Sequence, residues 1–311
     1  MERSSLMLEI SRLSIRFHRL DRRLRQVHTE TIHNLHLTVA AQEILAVVGS
    51  SGSGKSLLAH AILGILPSNA QVTGSIQFKG EELTPDRQRR IRGKEIALIP
   101  QSVAYLDPLM RVGEQVQQSV RQGDPENLRR KAFHKYNLAE YVAKWFPFQL
   151  SGGMARKILV STATVSGAQL VIADEPTPGL DASAMVETWS RFRQLADDGC
   201  AVMLITHDIE AALTVADRIA VLYAGTVVEI ALRSDFAGDG ERLRHPYSKA
   251  LWRALPSQQF RAIPGYQPLP DALPKGCVFA PRCSSATIEC EEVQPEPRTL
   301  RGGEVRCLHA T

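Results

Sequence analysis

The chain has 311 residues, 44% of them hydrophobic, and a formal net charge of +4. That length carries an ordinary core with a small appended domain, and so mild a charge gives no argument for nucleic-acid binding. No apolar run reaches the roughly 18 residues that a membrane helix needs, and residues 1–5 lack the apolar segment of a signal peptide, so a cytosolic chain that meets a membrane only through partners is expected.

In chain order, runs around 8–17 and 34–40, with 74–79, predict strands of an antiparallel portion. The basic runs Arg22-Arg23-Leu24-Arg25 and Arg87-Gln88-Arg89-Arg90 read as solvated surface. Ile44-Leu45-Ala46-Val47-Val48 predicts a buried strand, and residues 57–63 a helix. From 44 to 223 apolar strands alternate with helical patterns, which predicts an α/β fold: a largely parallel sheet flanked by helices. Residues 102–165 lose the strand pattern and read as helical, broken at Gly123-Asp124-Pro125. Further on, Leu170-Val171-Ile172-Ala173 and Ala201-Val202-Met203-Leu204-Ile205 are short apolar strands. Beyond them, His245-Pro246-Tyr247 opens a helical pattern, with proline sterically comfortable at a helix start.

Between the first apolar strand and its helix lies Gly49-Ser50-Ser51-Gly52-Ser53-Gly54-Lys55-Ser56, a G-x-x-x-x-G-K-[ST] phosphate loop. Its glycines let backbone amides close on phosphates, Lys55 adds a point charge, and the Ser56 hydroxyl is placed to bind Mg²⁺. The strand at 170–173 ends in Asp174-Glu175, where ligands gather in an open α/β sheet. Asp174 is placed to hold Mg²⁺ and Glu175 to polarise an attacking water. The strand at 201–205 delivers Thr206-His207-Asp208, and His207 is placed to contact a γ-phosphate or to hold the water in line. Leu150-Ser151-Gly152-Gly153-Met154 opens a helix at about 155–165 and forms a second anion site of amides and helix dipole. A simple nucleoside triphosphatase needs one such site.

With these motifs the chain resembles the nucleotide-binding subunit of an ATP-binding cassette (ABC) transporter along nearly its whole length. The Walker A loop matches 49–56, Walker B 170–175, the signature motif 150–154, the Q-loop glutamine Gln101, the D-loop aspartate Asp181 and the switch histidine His207. The resemblance implies a head-to-tail pair of subunits, with each ATP held between one Walker A loop and the partner's signature residues. It makes Glu175, His207 and Gln101 catalytic, with Ser56, Gln101 and Asp174 around Mg²⁺. It makes 102–165 a helical subdomain hinged at Gln101, with Ser102-Val103-Ala104-Tyr105-Leu106-Asp107-Pro108 in a groove for membrane subunits; a core role is the equal alternative for apolar Tyr105 and Leu106. An adenine-stacking aromatic is usual near the end of the first strand; Phe17 is the candidate and His18 the second, with an edge-of-core role as the other reading of Phe17. Ala155-Arg156-Lys157 after the signature and Pro178-Gly179-Leu180-Asp181 at the D-loop depart from the commoner pattern, and neither removes a catalytic group.

The division is 1–235 for the ABC nucleotide-binding domain and 236–311 for a C-terminal extension. A proline-rich segment follows the His245-Pro246-Tyr247 helix, then Cys277, Cys283, Cys290 and Cys307; Cys200 lies apart in the core. In a reducing cytosol, clustered cysteines argue against disulfides, and four thiolates suit either Zn²⁺ or an iron–sulfur cluster. His245-Pro246-Tyr247 and Gly276-Cys277-Val278-Phe279-Ala280-Pro281-Arg282-Cys283 resemble the tail of oligopeptide, dipeptide and nickel ABC importers. That resemblance implies a [4Fe–4S] cluster on the four cysteines, with Zn²⁺ or metal-free thiols as the other readings. It also implies a peripheral subunit at the cytoplasmic face of the cell membrane. The partners it implies are a second, related ATPase, two transmembrane permease subunits and an extracytoplasmic solute-binding protein. The cargo would be small peptides or nickel and metal chelates. The alternatives are a soluble ABC ATPase acting on ribosomes or DNA, and an exporter ATPase.

Overall fold

The structure is a computed structural model that describes residues 6–20 and 25–310. The first five residues and most of the basic run at 22–25 therefore lie outside the described residues. The elements are β1 (Leu6–Leu20), β2 (Gln26–Ala40), β3 (Ile44–Val48), α1 (Lys55–Leu63), β4 (Ala70–Phe78), β5 (Glu81–Glu82), α2 (Pro85–Ile91) and β6 (Ile96–Ile99). There follow α3 (Val112–Ser119), α4 (Pro125–Lys135), α5 (Gly152–Thr164), β7 (Leu170–Asp174), α6 (Ala182–Asp197), β8 (Ala201–Thr206) and α7 (Ile209–Val215). Then come β9 (Arg218–Tyr223), β10 (Thr226–Leu232), α8 (Pro246–Arg253), α9 (Ile288–Glu292), β11 (Arg298–Leu300) and β12 (Gly303–Val305). They fall into two units: one of Met1–Met7, Val39–Ile44 and Leu83–Thr206, the other of Leu8–Thr38, Leu45–Glu82 and His207–Thr311.

In the first unit β8, β7 and β6 lie side by side in parallel, with Ile96 opposite Leu170 and Asp174 opposite Ile205. Every residue of β7 and β8 is buried, which is why both read as unbroken apolar runs: a parallel strand covered on both faces has no polar side. The expected helical stretch consists of α3, α4 and α5 with short 3₁₀ turns between them. Its predicted break is a helix start, where the Asp124 side chain accepts from the Glu126 amide and Pro125 takes the first position. The pair expected in a partner groove splits: Tyr105 is 58% exposed, whereas Leu106 is core.

In the second unit the strand order is β11-β12-β10-β9-β3. β3 and β9 are parallel, and the pairs beyond them are antiparallel. A separate sheet, β2-β1-β4-β5, is the antiparallel portion foreseen from sequence, with both opening strands longer than the alternation suggested. Its β1–β4 ladder slips between Ser11 and Ser14. There Gly74 sits at φ +91°, and a Cβ on it would stand 2.3 Å from the Arg12 carbonyl oxygen, so the bulge requires glycine. The short strands at 298–305, absent from the sequence expectations, extend the β9–β10 edge. Behind β10 the fully buried Arg244 guanidinium pairs with Glu229 at 3.2 Å and Asp235 at 2.8 Å, and it donates to the carbonyls of Leu300 and Arg301. The turn before β12 is thereby tied to the region that opens α8.

Nucleotide-binding motifs and a four-cysteine cavity

The phosphate loop leaves β3, buried at all five residues. A Cβ on Gly49 would stand 2.2 Å from the Leu222 carbonyl oxygen on β9, so the loop's first residue must be glycine. Gly54 adopts φ +102° at the N-cap of α1, where no side chain caps the first turn. An uncapped start of this kind is what an anion site at a helix N-terminus uses. Lys55, largely buried, folds back and donates to the carbonyls of Gly49 at 2.8 Å and Ser50 at 3.0 Å. The Gly225 amide donates to the Ser53 carbonyl at 3.1 Å and pins the loop's middle. Ser51 and Gly52 are exposed, and Ser56 is half-buried. Phe17 is half-buried on β1, on the face of Leu13 and Ile15, whereas His18 is exposed and packs edge-on against His28 at 4.5 Å.

In the first unit Asp174 ends β7 and is buried, and the next residue, Glu175, takes the left-handed conformation at φ +47°. Positive φ is costly for a residue with a side chain and collects at functional sites. Here it is held by the Glu175 amide donating to the Ile205 carbonyl at 2.9 Å, while the Thr206 hydroxyl donates to the carboxylate at 3.4 Å. Ser151 caps α5 by accepting from the Met154 amide at 3.2 Å. Both Ser151 and Gly152 are exposed, and a Cβ on Gly152 would meet nothing within 4 Å. Gly153 instead approaches the D-loop: its Cβ would lie 3.3 Å from the Gly179 carbonyl. Asp181 caps α6 by accepting from the Ala184 amide at 2.9 Å and the Ser183 hydroxyl at 2.6 Å; these bonds hold its carboxyl below the usual range.

Gln101 is exposed, and its backbone is gripped from α5. Buried Arg156 donates to the Pro100 carbonyl at 2.7 Å and the Gln101 carbonyl at 2.5 Å. Burial lowers its guanidinium pKa against the opposing pull of Asp174 and Glu175. The first unit therefore carries Gln101, the signature start, Asp174, Glu175 and Asp181. The second carries Phe17, the phosphate loop and exposed His207, which precedes α7 and its cap, Asp208. Sequence reasoning singled out Arg156 only as a departure after the signature, and Thr206 only as a neighbour of His207. The signal for Arg156 was an arginine facing the helix's buried side; nothing in the pattern marked Thr206.

The four C-terminal cysteines are free thiols that line one cavity of about 730 Å³, with His245, Phe279 and Arg282 in its wall. Burial pushes the Cys277, Cys283 and Cys307 thiols up, and a thiolate on a neighbouring cysteine would push each further. Cys290 and Cys277 also meet through the backbone, the Cys277 amide donating to the Cys290 carbonyl at 2.8 Å. Among the described residues no three His, Cys, Asp or Glu side chains are gathered closely enough to hold a metal ion. Neither the zinc reading nor the [4Fe–4S] reading therefore finds support in the side-chain positions. Cys200 lies apart, and burial pushes its thiol up to about 12.

The sequence matches the ABC transporter family over residues 32–178 and the C-terminal region of oligopeptide/dipeptide transporters over residues 228–290. Among curated relatives, the oligopeptide transport ATP-binding protein AppD of Bacillus subtilis is 33% identical, over 98% of this chain and 97% of its own. The chain belongs to the ABC transporter family, in its oligopeptide/dipeptide branch. The oligopeptide transport ATP-binding protein OppD of Salmonella typhimurium is 32% identical over 94% of this chain and 90% of its own. Among solved structures, a dimeric post-hydrolysis state of the ATP-binding cassette MJ0796, bound to ADP and Pi, matches with a TM-score of 0.65 at 23% identity. That match covers 73% of this chain and 99% of that one, and it establishes the fold.

Proposed function

We infer that this chain is the ATP-hydrolysing subunit of a peptide importer. The observation that carries the reading is the phosphate loop, with its lysine folded over the loop carbonyls in a chain whose relatives are named for oligopeptide transport across nearly their full length. Backbone amides at the start of α1 and Lys55 take the phosphates. Ser56, Asp174 and Gln101 would hold Mg²⁺, Glu175 would polarise the attacking water with His207 holding it in line, and Phe17 would stack on adenine. The exposed start of α5, with Ser151, Gly152 and Gly153, faces the ATP of a second subunit, and Asp181 lies beside it at the D-loop. Hydrolysis then reopens a dimer that ATP had closed.

The partners in this reading are a second ATPase of the same family, two permease subunits and an extracytoplasmic solute-binding protein, with this subunit at the cytoplasmic face of the membrane. Among the described residues no helix is long and apolar enough to cross a bilayer, which agrees with a subunit that reaches the membrane through others. Exposed Tyr105 and Leu109 offer an apolar contact at the permease groove. The names of the relatives support peptide over nickel as cargo. For the cysteines, which line one cavity, the reading carried over from the tail resemblance is a [4Fe–4S] cluster; Cys277, Cys283, Cys290 and Cys307 would hold it. Ligation by iron would keep the Cys277, Cys283 and Cys307 thiols deprotonated against the burial that raises them.

Two measurements test the reading. A gentle detergent pull-down of the chain should bring two multi-spanning proteins, a second cassette ATPase and a solute-binding protein; recovery of ribosomes or DNA-repair factors instead would overturn transport. Glu175→Gln should retain ATP binding and lower turnover about 10²- to 10⁴-fold, the usual contribution of a positioned base; turnover equal to the unaltered chain would remove Glu175 from its role.

A further inference from the structure

Ser50, the second residue of the phosphate loop, is held from the C-terminal region. Its hydroxyl donates to the Gln267 side-chain oxygen at 2.5 Å, across 217 positions of chain. Its carbonyl is one of the two acceptors of Lys55, at 3.0 Å, so whatever fixes Ser50 also fixes the anchor of the phosphate-binding lysine. The Tyr247 ring packs 4.4 Å from Tyr223 and 5.3 Å from Phe279. Tyr223 is in turn the neighbour of Leu222, whose carbonyl abuts Gly49.

Gln267 itself lies in the proline-rich segment after α8, which has no regular structure to locate it. Arg282 supplies the anchor. Its guanidinium donates to the carbonyls of Pro264 at 2.7 Å and Ile263 at 3.1 Å, and to the Tyr223 hydroxyl at 3.2 Å. A planar fork that makes three bonds in fixed directions fixes the segment as a single-point contact cannot. The segment is thus pinned three residues before Gln267, to the same aromatic cluster that carries Tyr247.

We propose that Gln267 is a positioning residue for nucleotide binding, holding Ser50 and through it Lys55, and that Arg282 sets Gln267 in place. The C-terminal region then tunes the affinity of the phosphate loop for ATP. This rests on the ATPase reading above. Neither residue touches nucleotide in this scheme, so each acts on affinity and not on the chemical step.

The test is titration of the full-length chain with Mg-ATP, with steady-state ATPase measured in the assembled complex. Losing one hydrogen bond to the loop weakens binding about 3- to 10-fold. Gln267→Ala should therefore raise Kd and KM for ATP by that factor with kcat unchanged, and Gln267→Glu, which keeps an acceptor for the Ser50 hydroxyl, should restore both. Gln267→Ala should add nothing in a Ser50→Ala background, since the two then remove one interaction. Thermal unfolding checks that Gln267→Ala, at a half-buried position outside regular structure, keeps the fold. Unchanged Kd for Gln267→Ala beside a binding unaltered chain, or full additivity with Ser50→Ala, overturns this inference alone. Absence of Mg-ATP binding by the unaltered chain overturns the ATPase reading and this inference together.

Discussion

Two helix starts in this molecule are built to opposite plans. At α1 no side chain caps the first turn, the N-cap glycine is left-handed, and the loop folds onto itself through Lys55. At α5 a serine caps the first turn in the ordinary way, and the two following glycines leave one face bare of any intramolecular neighbour at Gly152. The first start is a finished cradle, with its lysine, loop carbonyls and neighbouring backbone all supplied by its own unit. The second is a finished helix end at which Gly153 closes on the D-loop, whereas Gly152 has no close neighbour among the described residues. Glycine costs a helix about 1 kcal/mol relative to alanine, and Gly152 is given no packing reason to bear that cost.

The largest expected effect lies at the cradle. Lys55→Ala removes the point charge aimed at the phosphates, and a hydrogen bond to a charged group contributes about 1.5–3 kcal/mol, so Kd for Mg-ATP should rise about 10- to 100-fold. Fluorescent nucleotide titration of the full chain measures it. A change below about twofold would mean that the loop amides alone carry binding, and would make the two helix starts more alike than their geometry suggests. Next comes Gly49→Ala, whose methyl would collide with backbone at Leu222. Forcing an extra methyl into a packed site costs typically about 1–3 kcal/mol, to be read as a lowered denaturation midpoint.

A third helix start sharpens the contrast by titrating. At α8 the cap is His245, whose Nδ1 accepts from the Tyr247 amide at 3.0 Å and whose own amide donates to Glu229. Burial pushes the His245 pKa down to about 3, so the folded chain holds it neutral where an unfolded chain, with a histidine pKa of about 6.5, takes up a proton. The unfolded state binds more protons between those values; stability is therefore full above about pH 6.5 and falls as pH falls toward 3. Going from pH 7 to 5 should cost about 2 kcal/mol through this group. His245→Asn keeps a capping acceptor without the titration, and its unfolding free energy should lose that part of the pH dependence. An identical slope in both chains would show that the imidazole is not the acidic weak point.

What the sequence made legible follows the same division. The cradle is local: strand, loop and helix are consecutive, and each requirement falls on a residue type within eight positions, so spacing alone revealed it. The parallel strands β7 and β8 were legible because burial on both faces leaves an unbroken apolar run. The Arg156 clamp on Pro100 and Gln101 was not, because its partners are backbone carbonyls 56 and 55 residues away and carbonyls have no sequence signature. Glu175 was legible as an acid at a strand end, but not as a residue at positive φ, a conformation imposed by the Ile205 carbonyl on a neighbouring strand. Tyr105 and Leu106 are both apolar and adjacent, and only the fold decides that one is core and the other surface. Likewise, cysteine spacing grouped four thiols but could not show that they line one cavity without converging on an ion.

The smallest effect on stability is the most informative about the second helix start. A Cβ on Gly152 has open space around it, and its φ is not one that excludes side chains, so Gly152→Ala should leave the isolated chain as stable as before or about 0.5–1 kcal/mol more stable, from helix propensity alone. If the proposed function holds and another subunit's ATP lies on this face, the same methyl should weaken ATP-dependent dimerisation of the Glu175→Gln background while leaving Mg-ATP binding to the monomer unchanged. Thermal unfolding, nucleotide titration and sedimentation with and without Mg-ATP separate the three quantities. Unchanged dimerisation would mean that the bare glycine face is not where the second subunit's nucleotide lies. A loss of monomer stability would mean that Gly152 is there for the fold after all. Stability kept and assembly lost is the combination expected of an outward-facing site at a subunit interface, because among the described residues nothing lies within 4 Å of the added methyl.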